Sequence, residues 1–332
     1  MLKKYFLITF ILSFFLPLYI LFSQKWINIS SNVPQKIEIN LLNSNINSST
    51  FEISIKGFYL NTIKNNNNEY TISVEGTTPI LSAKDPDLPK VSVPLIIPDI
   101  DEMQVEVISN SYIDYYDINI APSKGNLLRT INPDDIPYVY GDSYSINQFF
   151  PENLVALEQP YILRDFRAQT VKIYPFQYNP VTNTLRVYYK IKISLKSKSK
   201  NGENKFIRTK SNNTIDADFD KIYARNFINY NTSKYTPLSE QGNMLIICYD
   251  NFIPAMQDFV KWKNLIGIPT ELVAKSAIGN TATSIKNYVA NYYNTKGLTY
   301  LLLVGDAAQI PTNSLSSGNS DNAYGYITGN DR

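Results

Sequence analysis

The fold of the C-terminal part of this chain is decided by Thr299-Tyr300-Leu301-Leu302-Leu303-Val304-Gly305-Asp306, an apolar run that ends in a glycine and a carboxylate. A short unbroken apolar run bounded by a turn signal is typical of a strand buried on both faces. Asp306 then lies at the carboxyl end of that strand, where open α/β sheets place their sites. The alternative is that Asp306 only caps a loop or a turn.

Two strand and helix pairs precede this run. We expect strands at residues 244–249 and 270–274, and helices at residues 254–266 and 281–294. The first helix would carry its apolar stripe on Ala255, Phe259, Trp262 and Ile266, and the second on Ile285, Tyr288, Val289 and Tyr292. Gly267 and Gly297 would end these helices. The order β-α-β-α-β predicts adjacent parallel strands. No glycine-rich phosphate loop follows residue 249, which excludes a nucleotide site of that type.

The preceding two thirds of the chain have a different pattern, in which short alternating strands are separated by Gly, Pro and Asn clusters. We expect strands at residues 51–55, 70–74, 91–98, 103–108, 171–176 and 185–195. The Asn- and Ser-rich stretch that runs through Thr50 would lie before the first strand, and residues 65–68 would form a hairpin tip or a loop. This pattern predicts an antiparallel sandwich or barrel.

Composition excludes several classes of function. The net charge of +2 gives no electrostatic reason to expect nucleic-acid binding. The chain has no histidine, which excludes every His-based dyad, triad or zinc site built from these 332 residues alone. Its one cysteine, Cys248, lies inside an apolar strand, and we expect it to pack as a small buried hydrophobe.

Residues 1–24 are typical of an export signal, with Lys3 and Lys4 before an apolar run that contains Pro17 and ends near Ser23. The alternative is an uncleaved membrane anchor, because the run approaches the roughly 18 residues needed to span a bilayer. Both alternatives predict that the rest of the chain leaves the cytoplasm, either secreted or held at the cell surface.

Residues 196–240 are rich in Lys, Ser, Asn and Thr, which predicts a linker. Its basic residues are either a solvated face or positions of proteolytic processing, since exposed polar linkers are readily cut. The processing candidates are Arg208, Lys210, Lys221, Arg225 and Lys234. An apolar cluster at residues 219–230 interrupts the linker, and we expect it to dock on a flanking domain.

Several motifs together resemble one family. Residues 244–247, 258–263, 298–306, 310–311, 320–325 and 329–331 closely resemble the opening of the gingipain catalytic domain. Residues 164–167, 175–180 and 185–188 are similar to the gingipain propeptide. The resemblance runs from about Leu81 to the end of the chain. It implies a signal peptide at 1–24, a propeptide domain at 25–195, the linker at 196–240, and the N-terminal part of a peptidase domain at 241–332.

The resemblance implies a secreted cysteine endopeptidase with a caspase-like α/β fold. It is made as a latent precursor whose β-rich prodomain blocks the active site and is removed by proteolysis. The partners implied are its own or a cognate peptidase domain, the protein substrates of the mature enzyme, and the export machinery. The family's catalytic cysteine and histidine lie beyond residue 332, and Cys248 does not match the nucleophile. We therefore predict no peptidase activity from these 332 residues.

The resemblance also implies roles for particular side chains. Asp306 and Asp331 match family positions that help to coordinate calcium, and Asp321 lies nearby; two ordinary aspartates at loop starts are the alternative. Arg164 and Arg167 are candidates for insertion into an acidic specificity pocket as a mock substrate. The alternative is that both arginines pair on the sandwich surface.

A second hypothesis for the whole chain comes from a different class. The β-rich part would then serve as an exported, non-enzymatic inhibitor or surface-binding module, with the α/β part a decayed remnant.

Overall fold

The computed structural model describes residues 24–63, 66–208, 214–231, 236–238, 242–315 and 318–329. The predicted leader therefore lies almost wholly outside the described residues. No helix among the residues described is long and apolar enough to cross a membrane.

Residues 24–208 form the β-rich region, whose described residues contain thirteen strands. They are β1 (Gln24–Asn28), β2 (Glu38–Ser44), β3 (Ser48–Ser54), β4 (Gly57–Ile63), β5 (Asn66–Ser73), β6 (Thr78–Pro79), β7 (Pro89–Ile96), β8 (Glu102–Tyr115), β9 (Val155–Leu157), β10 (Tyr161–Leu163), β11 (Phe166–Ile173), β12 (Phe176–Asn179) and β13 (Thr184–Ser199).

These strands form three antiparallel sheets. One has the order β1-β4-β5, the second has the order β10-β11-β7-β6 with β9 also on β11, and the third has the order β12-β13-β3-β2 with β8 also on β13. Strand β13 organises the third sheet, because its edge opposite β8 pairs first with β12 and then with β3. Residues 180–183 make the predicted turn between β12 and β13, and Asn183 takes the left-handed conformation with φ 48°.

The inward faces of the three sheets share one core. Alternate side chains supply it, as a period of two requires: Phe51 and Ile53 of β3 are fully buried, and so are Ile191 and Ile193 of β13. Residue 57 of β4 must be a glycine, because a Cβ there would lie 2.3 Å from the ring of Trp26 on the neighbouring strand. The prediction of an antiparallel, β-rich sandwich-like region is confirmed.

A connecting segment, residues 214–238, follows the β-rich region. It comprises β14 (Thr214–Asp216), α1 (Ala217–Asn226) and β15 (Thr236–Leu238), and β14 pairs with β15 in parallel. Helix α1 is capped by Asp216, the residue before it, whose side chain accepts a hydrogen bond from the Asp218 backbone N–H. Tyr223 and Phe227 are buried against Phe166 of the β-rich region. The predicted apolar cluster of the linker therefore docks on the β-rich region.

Residues 242–329 form the α/β region. Its elements are β16 (Met244–Cys248), α2 (Ile253–Leu265), β17 (Thr270–Ala274), the single-turn α3 (Lys275–Ile278), α4 (Ala282–Lys296), β18 (Tyr300–Val304), and the short hairpin of β19 (Asn313–Leu315) and β20 (Gly318–Ser320). Strands β17, β16 and β18 form a parallel sheet in that order. The prediction of a parallel sheet with helices is confirmed.

Strand β16 is buried on both faces. Its Met244, Ile246 and Cys248 pack with α2, while Leu245 and Ile247 pack with α4. The strand expected at residues 299–304 is present as β18, and its two faces pack on the α4 and α2 clusters, but its five residues, 300–304, are only half-buried. The reason is position: within the described residues β18 pairs on one edge only, with β16, which holds the centre of the sheet.

Two further expectations need correction. The apolar stripe predicted for α2 is rotated: Trp262 and Ile266 are exposed, and the side chains that pack on the sheet are Ile253, Met256, Phe259 and Val260. The Asn- and Ser-rich stretch before residue 51 is not strand-free, because it forms β1, β2 and the start of β3. Strand β2 pairs on one edge and is largely exposed, so its composition is that of a polar edge strand.

Candidate functional site at the contact between the two regions

Arg164 lies in the turn between β10 and β11 and reaches across to the α/β region. Its Nη1 donates a hydrogen bond to the Leu298 carbonyl oxygen at 2.9 Å, and Thr299 Oγ1 lies 3.5 Å away. The guanidinium lies 4.3 Å from the centre of the Phe219 ring of α1. A cation placed between an aromatic ring and a backbone carbonyl is held by both. Arg164 therefore links three parts of the chain.

Asp165, the next residue, is bonded to helix α1. The Tyr223 hydroxyl donates to Asp165 Oδ2 at 2.7 Å and accepts a bond from the Asp165 backbone N–H at 3.2 Å. Burial raises the pKa of Asp165, and the Tyr223 hydrogen bond and the nearby Arg164 charge oppose that shift only in part. Burial and the Asp165 carboxylate together raise the pKa of Tyr223 far above its usual range.

The first turn of α1 makes a second set of contacts with the α/β region. Asp216 Oδ2 accepts a hydrogen bond from Thr299 Oγ1 at 3.0 Å. Asp218 Oδ2 accepts one from the Tyr300 hydroxyl, and this bond raises the pKa of Tyr300 to about 12. The hydroxyls of Thr299, directly before β18, and Tyr300, its first residue, thus meet the carboxylates of Asp216 and Asp218 at the start of α1.

A cavity of about 460 Å³ lies beside these contacts. Leu163 and Phe219 line one side, and Val289, Tyr293 and Tyr324 line the other. Side chains of both regions therefore line one cavity next to the polar contacts of Arg164.

Arg167 has a different environment from Arg164 although only three residues separate them. Its side chain is fully buried in the β-rich region. The guanidinium donates to four backbone carbonyl oxygens, those of Pro98, Asp101, Glu203 and Asn204, at 2.6 to 3.0 Å. Such a group fastens the segment around residue 203 to the loop after β7, so it is neither free to insert into another domain nor on the sandwich surface.

The three processing candidates among the described residues have two kinds of environment. Arg208 is ion-paired with Asp99, with Nη2 to Oδ1 at 2.9 Å. Lys221 and Arg225 are exposed on helix α1, and their backbone is helical rather than extended. Lys210 and Lys234 lie outside the described residues.

Asp306, the candidate calcium ligand, caps a turn. Its Oδ1 accepts bonds from the backbone N–H groups of Ala308 at 2.8 Å and Gln309 at 3.2 Å. Asp321 precedes a short 3₁₀ turn at residues 322–325, and Asp331 lies outside the described residues. The described residues contain no group of three or more Asp, Glu, Cys or His side chains placed to hold a metal ion. Calcium takes roughly six to eight oxygen ligands, so these residues do not by themselves make a site, and calcium binding stays a prediction.

Cys248 is fully buried in β16, as expected. Burial raises the pKa of its thiol, and the Asp250 charge adds to that effect. A nucleophilic cysteine needs the opposite, a thiolate stabilised by a nearby positive charge. Cys248 therefore has the environment of a packing residue.

Comparison with known proteins identifies the family on both sides of this contact. The model of the C25 propeptide, Propeptide_C25, matches residues 30–236, and the model of peptidase family C25 matches residues 237–332. This chain belongs to the C25 peptidase family. The two matches meet between residues 236 and 237, within β15.

The relatives include the gingipains of Porphyromonas gingivalis. Gingipain R1 is 43% identical over 252 residues, which cover 74% of this chain and 25% of that protein. Lys-gingipain is 22% identical over 255 residues, covering 71% of this chain and 14% of that protein. This chain thus spans a quarter or less of the length of these two relatives.

A solved structure matches as well. A chain of the complex of the Porphyromonas gingivalis RgpB pro- and mature domains is similar at a TM-score of 0.52 and 35% identity. The match covers 58% of this chain and 98% of that chain. A family prodomain and its mature domain therefore form a complex, in agreement with the predicted partner.

The sequence interpretation missed Asp216, Asp218, Thr299 and Tyr300 as contact residues. A signal for the helix was present: Asp216 lies directly before a segment with Phe219, Ile222 and Tyr223 at helical spacing, which is typical of a helix N-terminus. No sequence signal pairs that helix with the start of β18, because the two are separated by more than eighty residues.

Proposed function

We propose that this chain is the N-terminal part of the precursor of a secreted cysteine endopeptidase, in which the β-rich region and helix α1 keep the peptidase latent. The observation that carries the proposal is the succession of two C25 family matches in the order propeptide then peptidase, meeting at residue 236. The catalytic cysteine and histidine would be supplied from outside these 332 residues.

The test of latency is inhibition in trans. Purified residues 25–231 are added to a mature peptidase of the family, and hydrolysis of Arg- and Lys-containing peptides is followed. We expect inhibition that saturates with prodomain concentration. Unchanged hydrolysis at high prodomain concentration, with the β-rich region folded by circular dichroism, would remove the proposal and favour a surface-binding module.

An arginine that inserts as a mock substrate needs a free guanidinium. Arg167 is engaged by four carbonyl oxygens, and Arg186 is paired with Asp114 through two hydrogen bonds. Arg164 is held at the contact with the α/β region, whereas Arg129 is exposed in the loop between β8 and β9. Alanine at Arg129 and at Arg164 in the inhibition assay distinguishes them. A mock substrate raises the inhibition constant when removed, and we expect the larger rise from Arg129→Ala.

Processing of the precursor is proposed at Lys234. The boundary of the two family matches supports it, because residue 234 lies two residues before that boundary, whereas Lys221 and Arg225 lie in a helix and Arg208 is ion-paired. N-terminal sequencing of the mature protein tests this choice. A mature N-terminus at residue 235 agrees with it, and one at residue 209, 211, 222 or 226 assigns the cut to another candidate.

The chain itself is proposed to be inactive and exported. We expect no hydrolysis of Arg- or Lys-containing peptides by the purified 332 residues, since Cys248 is buried and the chain has no histidine to activate it. Measurable cleavage that is lost in Cys248→Ser would contradict this. The leader at residues 1–24 would engage the export machinery, and the protein substrates would be those of the mature enzyme.

A further inference from the structure

We propose that the cavity between the β-rich region and the α/β region is a binding site for a small aromatic carboxylic acid, whose carboxylate would be held by Arg164 and Tyr293. The cavity has a volume of about 460 Å³ and lies beside the contacts of Arg164. Small-molecule sites in proteins are clefts of roughly 300–1,000 Å³ with mostly apolar walls and a few polar groups. The inference goes beyond the proposed latency and does not depend on it.

The walls of the cavity are mainly apolar and partly aromatic. The β-rich region contributes Leu163, helix α1 contributes Phe219, and the α/β region contributes Val289 of α4 and Leu301 of β18. The aromatic rings in the lining are those of Phe219, Tyr293, Tyr324 and Tyr326. Aromatic rings make favourable edge-to-face and offset contacts with one another. Walls of this composition therefore favour a ligand with a flat, aromatic body.

Arg164 supplies the charge of the site. Among the described residues that line the cavity it is the one charged side chain, and none of them is a carboxylate. Its Nη1 donates to the Leu298 carbonyl oxygen, whereas its Nη2 makes no hydrogen bond with a described residue. A guanidinium with N–H groups still available matches the geometry of a carboxylate. The site therefore favours an anionic ligand over a neutral or a cationic one.

The carboxylate that pairs with Arg164 lies outside the cavity. Asp165 Oδ2 is 3.7 Å from Arg164 Nε, and it accepts a hydrogen bond from the Tyr223 hydroxyl at 2.7 Å. Asp165 is not among the residues that line the cavity. This pairing therefore engages Nε and leaves the Nη2 group of Arg164 to a ligand.

Tyr293 of α4 adds a hydroxyl donor from the other region. The Arg164 guanidinium lies 5.9 Å from the centre of the Tyr293 ring, and both residues line the cavity. The Tyr293 hydroxyl has no hydrogen-bond partner among the described residues, although a tyrosine hydroxyl in such a setting usually finds one. Burial raises the pKa of Tyr293, and the charges of Arg164 and Arg208 oppose that shift only in part. The hydroxyl is therefore protonated at neutral pH and can donate to a carboxylate.

The test measures the binding of three related compounds to the purified chain by isothermal titration calorimetry. Naphthylacetate carries the carboxylate, naphthylethanol is its neutral counterpart, and naphthylethylamine is its cationic counterpart. We expect one molecule of naphthylacetate to bind per chain. The alcohol and the amine should bind roughly tenfold to a hundredfold more weakly, as loss of a hydrogen bond between charged groups implies. Equal affinities for the acid and the alcohol, or no binding of the acid at millimolar concentration to the folded chain, overturn the proposal.

Two substitutions test whether the compounds bind in the cavity. Thr328→Trp adds a large ring to the lining and should abolish binding of both the acid and the alcohol. Thr283→Trp, at an exposed position of α4 outside the lining, is the matched control and should leave both affinities unchanged. Binding of the acid to folded Thr328→Trp with the affinity of the parent chain would place the ligand elsewhere and overturn the proposal.

Substitutions at the two polar groups test how the carboxylate is held. Arg164→Gln should remove the preference for the acid while the alcohol still binds, whereas Arg225→Gln, at an exposed position of α1, should retain that preference. Tyr293→Phe should weaken binding of the acid more than that of the alcohol. If Arg164→Gln binds neither compound, Arg164→Lys decides, because it keeps the positive charge. It should still favour the acid, and equal affinities in this variant contradict the proposal.

Discussion

The two regions of this molecule support their strands in different ways. In the β-rich region, β13 is sixteen residues long and is paired on both edges over most of its length, and alternate side chains are fully buried. In the α/β region, β16 has that environment, whereas β17 and β18 are half-buried along their whole lengths. The β-rich region therefore buries its central strand on both faces, while in the described α/β region only β16 is fully buried, and Arg164 and Asp216 contact the start of the half-buried β18.

Core truncation should show this difference most strongly. Phe51→Ala in β3 removes a fully buried ring and should lower the free energy of unfolding of the β-rich region by about 3–5 kcal/mol. Leu302→Ala in β18 removes a half-buried side chain and should cost the α/β region only about 1–2 kcal/mol.

The chain offers a fluorescent probe for each region in that measurement. Its two tryptophans are Trp26 in β1 and Trp262 in α2, so Trp26→Phe and Trp262→Phe backgrounds report urea unfolding of one region at a time. Equal losses in the free energy of unfolding from Phe51→Ala and Leu302→Ala would contradict the stated difference between the two regions.

Arg167→Ala should cause the second-largest loss in the free energy of unfolding. It removes the donor to four backbone carbonyl oxygens inside the β-rich region and leaves a gap, so we expect a loss of about 3 kcal/mol in the free energy of unfolding. Arg129→Ala, at an exposed loop position, is the matched control and should stay within about 0.5 kcal/mol. If urea unfolding followed by Trp26 fluorescence gives the two variants similar midpoints, the buried Arg167 guanidinium does not stabilise the β-rich region.

Asp165→Asn should change the pH dependence of stability by a smaller amount, about 1 kcal/mol. Burial raises the pKa of Asp165, so the folded protein binds this proton more tightly than the unfolded chain does. The contribution of Asp165 is then fully present below the pKa of the unfolded chain and is lost as the pH rises through the raised pKa of the folded protein. Asparagine removes that loss and still accepts the Tyr223 hydroxyl.

The measurement is the free energy of unfolding between about pH 4 and pH 8, a range that starts near the pKa of an unperturbed aspartate. The variant should lose less stability than the parent protein as the pH rises. Asp258→Asn, at an almost fully exposed carboxylate, is the control and should follow the parent protein. A steeper loss in Asp165→Asn than in the parent would show that the Arg164 charge outweighs burial.

The smallest expected effect is at the start of α4. Thr281 and Ser284 form a reciprocal cap in which each side chain accepts a bond from the other's backbone N–H. Thr281→Ala should lower the stability of the α/β region by about 0.5 kcal/mol. Thr295→Ala, at an exposed position in the last turn of the same helix, should change it by less than half as much. Urea unfolding followed by Trp262 fluorescence compares the two.

The sequence predicted the elements whose signals are local. Strands β16 and β17, helix α4 and its buried face, and the turn at residues 180–183 follow from apolar periodicity and from glycine and asparagine positions. Polar edge strands such as β2 were missed, because their exposed side chains carry no alternation of apolar residues. The buried face of α2 was predicted wrongly. Phe259 and Trp262 lie on one helical stripe in the sequence, but only Phe259 packs on the sheet, and the helical spacing alone does not show which of the two does.

The contact between the regions was beyond the reach of sequence patterns. No sequence pattern distinguishes Arg164 from Arg167. In the structure, Arg164 donates to the Leu298 carbonyl oxygen of the α/β region, whereas Arg167 donates to four carbonyl oxygens inside the β-rich region. Which environment each arginine has depends on loops that are distant along the chain. Asp306 shows the same limit, because the carboxylate after a strand equally suits a metal ligand and a turn cap; its Oδ1 caps a turn, and its role as a calcium ligand stays a prediction.

Strand β13 also sets the timing of assembly during synthesis. Its partners β3 and β8 are made long before it, at residues 48–54 and 102–115, and must wait without their central neighbour until residue 199 has emerged from the ribosome. Pairing over such sequence separations is slow. The third sheet of the β-rich region can therefore be completed only when β13 is available, because all of its partners precede it in the chain.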